Sequence, residues 1–305
     1  MSTFRNYLLG RNQSIATVEI HEGFVHRFSN WCDDENIEAK TATYAEILSY
    51  MQYLRKGSLK QRTIQMHLLA LSHYFKWCIS IGLREDQPTE GIEVKGVQRK
   101  FLYHNIPMTE LEAVYERFKG SEVYLSGTYR IWDKQMHYTN KIQKVVYGLM
   151  IWQGLEAGEL KRLKLEDLKL REGKIYIAGG RRSNERTLKL ESVQIMDLME
   201  YLQIIRPEYQ KTNPKPTESL FISLNGGEWG NNFMTYLFKA LRSYHSQIKN
   251  SNQVHASVIT YWLKTNNLRQ VQYMAGHRYV SSTEAYLIND LDDLHEEITK
   301  FHPMG

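Results

Sequence analysis

The chain has 305 residues, of which 42% are hydrophobic and 24% are charged, a balance typical of globular proteins. This length fits two ordinary domains, each with a core of its own. Lys and Arg total 39 against 34 acidic residues, so the formal net charge of +5 permits a nucleic-acid partner but does not require one.

Cellular location is indicated by the cysteines and by the apolar segments. Cys32 and Cys78 are the only cysteines, and each follows a tryptophan in a helix-like stretch, so we expect two small core residues. Two cysteines without a disulfide framework favour a reducing compartment. The N-terminus shows no signal-peptide pattern, and the densest apolar run, 145–152, is too short to span a bilayer. We therefore expect a cytoplasmic protein with no membrane partner.

The first ninety or so residues predict helices only. Thr43 and Glu46 have capping-box spacing, and Ser58 with Gln61 predicts the start of a longer helix that Gly82 ends. One face of this helix is apolar, with Ile64, Leu68, Leu71, Phe75 and Cys78. Cations at its start, including Lys60 and Arg62, suit a phosphate. Taken alone, they favour a solvated polar face.

A connector follows, rich in proline, glycine and basic residues between Pro88 and Pro107. It carries Lys95, Arg99 and Lys100. We accordingly place a helical N-terminal domain at 1–92, a linker at 93–106 and a C-terminal domain at 107–305.

The second half predicts a mixed domain. Thr109 and Glu112 predict a helix start, and residues 142–153 a helix that Gly154 ends or bends. Residues 174–177 and 186–190 are strand candidates on either side of a turn-rich loop, which predicts a β-hairpin. Helices dominate afterwards, so the expected fold is mainly α with a small antiparallel sheet.

Three blocks of the second half carry a family resemblance. They are GLEAGEL with LKLEDL at 154–168, GRRSNER at 180–186, and LRQVQYMAGH with STEAY at 268–286. In composition, order and spacing they resemble the conserved segments of tyrosine recombinases, the phage-type integrases. The resemblance implies a helical core-binding domain followed by an α-rich catalytic domain with a small antiparallel β-sheet.

The same resemblance implies an activity. Such enzymes perform site-specific DNA recombination or integration through a covalent 3′-phosphotyrosyl DNA intermediate, which conserves bond energy. It implies no metal and no cofactor. Double-stranded DNA is the implied partner, with a homotetramer on two sites or a second recombinase beside this chain.

The resemblance also implies which residues form the catalytic site, when each family position is matched to a residue of this chain. Several of these residues differ from the family pattern. Tyr286 falls on the nucleophile, His277 on the second histidine, and Arg181 on the lysine, with Arg182 adjacent. Glu156 falls on the first arginine, so an anion replaces a cation.

The second arginine is also substituted. In the preferred register the family's HxxR motif falls on residues 252–255 and its arginine on His255, which requires one deletion near 265–267. A rival register starts the motif at His255 and places Val258 on the arginine.

Three functional hypotheses remain open from the sequence. The first is an active recombinase with a diverged site. The second is a DNA-binding accessory or regulatory relative that has lost cleavage, since each missing oxyanion donor typically lowers the rate ~10²–10³-fold. The third is a helical scaffold without DNA, against which the retained tyrosine argues. Residues in segments that contact DNA in the family are Lys60, Arg62, Lys95, Arg99, Lys100, Arg181 and Arg182.

Overall fold

The computed structural model describes residues 3–96, 104–118, 131–181, 183–212, 217–223, 227, 229–230 and 232–287, without the side chains of 131–133. The chain divides into two compact units, residues 1–100 and 101–305. The domain limits expected from the sequence stay a prediction. None of the helices in these ranges has an apolar stretch sufficient for a bilayer crossing.

Four helices make up the described part of the N-terminal unit, residues 3–96. They are α1 (Phe4–Gly10), α2 (Ile15–Asp34), α3 (Tyr44–Lys56) and α4 (Gln61–Ser80). Their apolar faces enclose an aromatic core in which Phe28 makes edge contacts with Tyr50 and Phe75. Cys32 and Cys78 are buried free thiols, as expected, and the predicted apolar face of α4 is buried.

Two helix starts were predicted in this unit from capping residues, and the structure confirms one of them. Thr43 and Glu46 form the predicted capping box at α3. The predicted start at Ser58 is wrong, because α4 begins at Gln61 with Lys60 as its N-cap. Ser58 has φ +58°, and its N–H donates to the Arg55 carbonyl at 3.0 Å, so it closes α3. An N-cap residue needs extended backbone, which this conformation excludes.

The C-terminal unit combines helices with a three-stranded antiparallel sheet of order β1-β2-β3. Its helices are α5 (Met108–Arg117), α6 (Ile131–Trp152), α7 (Ala157–Arg162), α8 (Ser192–Glu200), α9 (Arg206–Gln210), α10 (Phe233–Tyr244), α11 (Ser251–Thr265) and α12 (Leu268–Ala275). Its strands are β1 (Leu168–Lys169), β2 (Lys174–Ile177) and β3 (Arg186–Lys189). Residues 280–287 form the last described helix, α13. The predicted mainly helical fold with a small antiparallel sheet is confirmed.

The β2–β3 hairpin has the register that its side-chain alternation requires. Ile175 pairs with Leu188, and Ile177 with Arg186. All four of these side chains are buried, whereas the intervening positions face outward. The hairpin therefore turns Arg186 into the core, and residues 178–181 and 183–185 are the described part of its loop.

Two helix predictions in this unit need correction. The predicted capping box at Thr109 is wrong, because α5 begins at Met108 after Pro107, whose carbonyl accepts the first backbone bonds. The helix predicted at 142–153 starts at 131. Its first half is polar, and ion pairs such as Lys134–Glu208 and Lys141–Asp197 hold it against other helices. Polar contacts of this kind leave no apolar periodicity in the sequence.

Candidate active site

Four of the residues singled out from the sequence converge in the C-terminal unit. The rings of His277 and Tyr286 stack, with centroids 5.8 Å apart and planes 5° from parallel. The His255 ring lies edge-on to both, at 6.2 Å from each. A carboxylate oxygen of Glu156 lies 3.8 Å from His255 Nε2.

Glu156 is placed by the turn between α6 and α7. Gly154 makes this turn at φ +61°, where a Cβ atom would lie 2.8 Å from a ring carbon of buried Trp262. Glu156 then caps α7 in a reciprocal capping box with Glu159. Its side chain stays 63% exposed, so the carboxylate borders solvent beside His255.

His255 is held by α11, whose N-cap Asn250 accepts a bond from the Gln253 N–H. Its Nδ1 lies 2.7 Å from the Gly154 carbonyl oxygen. A carbonyl oxygen only accepts, so Nδ1 carries the proton. Nε2 is buried and has no hydrogen-bond partner within the described residues. In the neutral ring, this atom therefore presents a lone pair toward Glu156.

His277 is held by backbone and side-chain bonds around the end of α12. Gly276 caps that helix at φ +68°, and its carbonyl accepts the Asn184 N–H from the hairpin loop at 2.8 Å. His277 Nδ1 lies 2.8 Å from the Thr283 hydroxyl. Burial, followed by the charges of His255 and Arg186, lowers the pKa of His277 to about 4. The imidazole is therefore neutral at physiological pH.

A buried ion pair lies beneath these residues. Arg186 Nη1 and Nη2 donate to the two carboxylate oxygens of Glu159, at 2.7 and 2.9 Å. Burial alone would raise the pKa of Glu159, but the Arg186 guanidinium outweighs it and holds that pKa below its ordinary value. The pair ties β3 to α7, which gives Glu159 a structural role.

Arg181 lies on the exposed loop of the hairpin. Its backbone carbonyl accepts a bond from Arg278 at 3.2 Å, and a bridge between Ser183 and His277 joins the loop to the site. Arg182, the other candidate here, lies outside the described residues.

The N-terminal unit carries candidate DNA contacts of its own. Lys60 and Arg62 are exposed at the start of α4, and Lys95 is exposed in the segment after it. Arg62 donates to Gln65 at 3.2 Å. Arg99 and Lys100 lie outside the described residues.

Three contributors were missed from the sequence. The Gly154 carbonyl fixes the His255 tautomer, the fully buried Thr283 bonds His277, and Arg186 anchors Glu159. All three lie in the segments that carry the family resemblance, since Gly154 opens the GLEAGEL block, Arg186 ends the GRRSNER block and Thr283 belongs to the STEAY block. Within the described ranges, no group of three or more His, Cys, Asp or Glu side chains is arranged to hold a metal.

Comparison with known proteins gives matches along most of the chain. The phage integrase family profile matches residues 132–292, over half of the chain, and the profile of the phage integrase N-terminal SAM-like domain matches residues 1–85. A tyrosine recombinase XerC from Oceanobacillus iheyensis is 23% identical over 99% of this chain and 95% of its own. A tyrosine recombinase XerD from Pseudomonas aeruginosa is 24% identical over 95% of this chain and 92% of its own.

Solved structures share the fold at lower identity. The XerH recombinase bound to a palindromic difH substrate, in a post-cleavage complex, aligns with a TM-score of 0.69 and 17% identity, over 95% of this chain and 81% of that one. A lambda integrase dimer bound to a core site aligns with a TM-score of 0.63 and 12% identity, over 94% and 93%.

Proposed function

The chain belongs to the phage integrase family of tyrosine recombinases, and from that premise we propose that it cleaves and rejoins duplex DNA with Tyr286 as the nucleophile. The observation that carries the proposal is the packing of Tyr286 against His277 and His255. A lone tyrosine on a late helix is more often structural. A tyrosine whose ring packs against two imidazoles, one of them 3.8 Å from an exposed carboxylate, has groups for proton transfer near it.

The proposed step is a transesterification. The Tyr286 oxygen attacks the phosphorus, a 3′-phosphotyrosyl bond forms, and the bond from phosphorus to the 5′ oxygen breaks. The tyrosine hydroxyl gives up its proton, and the leaving oxygen takes one to become a 5′-hydroxyl. Rejoining is the same reaction with a 5′-hydroxyl as attacker, so the bond energy is conserved throughout.

His277 serves this step as a neutral imidazole. With Nδ1 accepting from the Thr283 hydroxyl, Nε2 carries a hydrogen and can donate to a non-bridging phosphate oxygen. In the other tautomer, Nε2 can accept a proton. The Thr283 hydroxyl supports both states because it donates or accepts by rotating.

The contact between His255 and Glu156 supports the register that places His255 on the second arginine position. Glu156 holds the first arginine position, so the two substituted positions face each other at 3.8 Å. The rival register requires Val258 at the second position. Val258 is fully buried, close to where a side chain on Gly154 would lie.

The partners and location follow from the same proposal. Double-stranded DNA would contact the exposed cations Lys60, Arg62, Lys95 and Arg181, together with Arg99, Lys100 and Arg182. We propose action in the cytoplasm, as a homotetramer on two sites or beside a second recombinase. The structures of XerH and lambda integrase named above are complexes with DNA, which supports this choice of partner.

Glu156 favours a second candidate function, that of a DNA-binding accessory subunit without cleavage. Its carboxylate is exposed beside the site, where an anion would repel a scissile phosphate. An accessory subunit would still bind duplex DNA and would still need the Glu159–Arg186 pair for folding.

A covalent-adduct assay separates the two functions. We would incubate the chain with a pool of nicked duplexes of randomised core sequence, which trap the adduct by losing the short 5′-hydroxyl strand. An adduct that resists denaturation and is lost in Tyr286→Phe supports cleavage. Tyr279→Phe is the matched control, because Tyr279 is 67% exposed seven residues earlier and should leave the adduct unchanged. Duplex binding without any adduct would favour the accessory subunit.

A further inference from the structure

Two acceptor groups face each other at the substituted positions of the site. The Gly154 carbonyl accepts from His255 Nδ1 at 2.7 Å, so the one proton of a neutral ring is fixed on Nδ1 and Nε2 presents a lone pair. An oxygen of the Glu156 carboxylate lies 3.8 Å from that Nε2, too far for a direct hydrogen bond. Nε2 is buried without a partner among the described residues. A proton on Nε2 turns two facing acceptors into a donor and an acceptor.

We propose that His255 acts in strand cleavage as an imidazolium whose proton it shares with Glu156, so that the cation of the second arginine position is acquired by protonation. The proton comes from solvent and binds to the Nε2 lone pair, while Nδ1 keeps its own. Because Nδ1 is committed to the Gly154 carbonyl, Nε2 carries a hydrogen only in the charged ring. A nearby carboxylate favours the charged form of an imidazole. This role in cleavage rests on the proposed function.

The proton changes the charge that the site presents to DNA. Without it, His255 is neutral, and the Glu156 carboxylate, on a side chain that is 63% exposed, gives the pair one negative charge. With it, the pair is neutral overall, and the positive charge lies on the ring that packs edge-on against Tyr286. The repulsion between Glu156 and the scissile phosphate is then offset. A cation beside the attacking tyrosine also stabilises the negative charge that builds on the phosphate oxygens in the transition state.

The other charged and titratable groups around His255 allow its proton to be observed. Glu159 and Arg186, from α7 and β3, neutralise each other in their buried ion pair. His277, at the end of α12, has its pKa lowered to about 4, chiefly by burial, so it stays neutral above that pH. Tyr286, on α13, packs its ring against both imidazoles. A pH dependence of cleavage in the neutral range that disappears when position 255 is changed therefore reports the proton on His255.

A second histidine–glutamate pair provides a contrast within the same unit. His245 Nε2 lies 2.6 Å from a carboxylate oxygen of Glu110, at the distance of a direct hydrogen bond. Glu110 belongs to α5 and His245 follows α10, so the pair joins these two helices. Glu110→Gln removes a carboxylate from beside a histidine, as Glu156→Gln does, and is therefore its matched control.

The first measurement is the single-turnover rate of covalent-adduct formation on nicked duplexes, between about pH 5.5 and 8.5. We expect the wild-type rate to rise as the pH falls, by up to ~10-fold per pH unit for one bound proton. His255→Arg should remove this rise, because arginine keeps its charge throughout the range. Glu156→Gln should move the rise to lower pH, because an amide no longer favours the charged ring. Glu110→Gln should leave the profile unchanged.

The second measurement follows the proton itself by nuclear magnetic resonance, in the full chain without DNA. Chemical shifts of isotope-labelled histidine distinguish the neutral ring from the charged ring, and the His255 signal is identified by its loss in His255→Gln. We expect His255 to become charged at a higher pH in the wild type than in Glu156→Gln, and Glu110→Gln to match the wild type. Glu156→Gln keeps an amide oxygen for the helix cap, so it tests the shared proton even if the buried His255 variants fail to fold.

Two results would overturn the proposal. One is a His255 ring that becomes charged at the same pH with and without the Glu156 carboxylate. The other is a pH profile of cleavage that His255→Arg leaves unchanged, which keeps the proposed function and removes the imidazolium. A shared proton with no adduct at any pH instead overturns the proposed function and the role of His255 in cleavage, and it leaves only the proton between His255 and Glu156 standing.

Discussion

Arg186 and Glu159 form a bidentate ion pair in which the arginine side chain has no exposed surface and the glutamate side chain only 5%. The two residues are separated by 27 positions and join the hairpin to the short helix that Glu156 caps. The positions of Glu156 and of the hairpin loop are therefore coupled through one pair of side chains.

Breaking this pair should destabilise the protein strongly. Arg186→Met leaves the Glu159 carboxylate buried without its partner, and such losses typically amount to ~3–5 kcal/mol of the free energy of unfolding. Chemical denaturation followed by circular dichroism measures the change. Glu218→Gln is the control, since it breaks the exposed Lys164–Glu218 pair and should leave stability nearly unchanged. Equal effects of the two variants would contradict the structural importance of the buried pair.

DNA affinity should fall steeply with salt, because binding to phosphates releases counterions. Replacing Lys60 and Arg62 with alanine should weaken binding for all sequences alike. It should also reduce the slope of log affinity against log salt by about one for each phosphate that is no longer neutralised. Fluorescence anisotropy on a duplex measures this slope. Lys76→Ala, an exposed cation further along α4, should leave it unchanged. Affinity independent of salt would argue against phosphate recognition altogether.

Restoring two arginines should raise the rate of DNA cleavage. The double variant Glu156→Arg with His255→Arg should cleave a nicked substrate faster than the wild type, by a factor on the order of 10². Each single variant should do less, because groups acting on one phosphate are not additive. Single-turnover assays of all four proteins measure this. A double variant slower than the wild type would show that the site has been rebuilt around its substitutions.

The N-terminal unit should lose stability in mild acid. Burial lowers the pKa of His67 and of His73 to about 4 and lowers that of His21 in the same direction. Their folded-state pKa values lie below the unfolded value of about 6.5. Their contribution is therefore complete above about pH 6.5 and is lost as the pH falls toward 4, by up to ~1.4 kcal/mol per pH unit per histidine.

Replacing one histidine isolates its share of this pH dependence. Denaturation midpoints between pH 7.5 and 4.5 should fall less steeply in His67→Gln than in the wild type. Glutamine still offers an oxygen to Tyr50, whose hydroxyl lies 3.1 Å from His67 Nδ1, so folding should survive. Parallel curves for the two proteins would mean that His67 titrates alike in the folded and unfolded chains.

Gly276→Ala should destabilise the protein far more than Gly173→Ala. Both glycines have positive φ, +68° and +61°, which strains any other residue by ~1–2 kcal/mol. At Gly173 a Cβ would meet nothing within 4 Å, whereas at Gly276 it would meet the Arg186 guanidinium, with Cζ 2.9 Å away. Thermal melts of both variants measure the difference. Similar losses would show that the guanidinium gives way easily.

Local sequence patterns were sufficient to predict the helices and strands that bury apolar side chains on one face. Strand candidates at 174–177 and 186–190 on either side of a turn-rich loop predicted the hairpin. The apolar face of α4 predicted that helix, because burial on one face leaves a period in the sequence. The first half of α6 escaped prediction because buried ion pairs stabilise it. Such partners lie far apart in the chain and leave no periodic signal.

The sequence predicted candidate positions for the site but not the contacts between them. His277 and Tyr286 were predicted together, since one short segment carries both. Neither the bond from His255 to the Gly154 carbonyl nor the approach of His255 to Glu156 could be foreseen. These contacts depend on how α11 packs against the turn after α6. That the two substituted positions face each other became visible only in three dimensions.

Gly276 packs against Arg186, so the presence of the Gly-His dipeptide in this chain is not by itself evidence of catalytic activity. A chain that had stopped cleaving DNA would still need a residue without Cβ at 276, because the hairpin, the end of α12 and the buried arginine close around it. The need to fold is therefore enough to preserve the glycine. Searches for active members that weigh this dipeptide as a catalytic signature would count folded but inactive chains, and Tyr286 with the two imidazoles against its ring is the more discriminating feature.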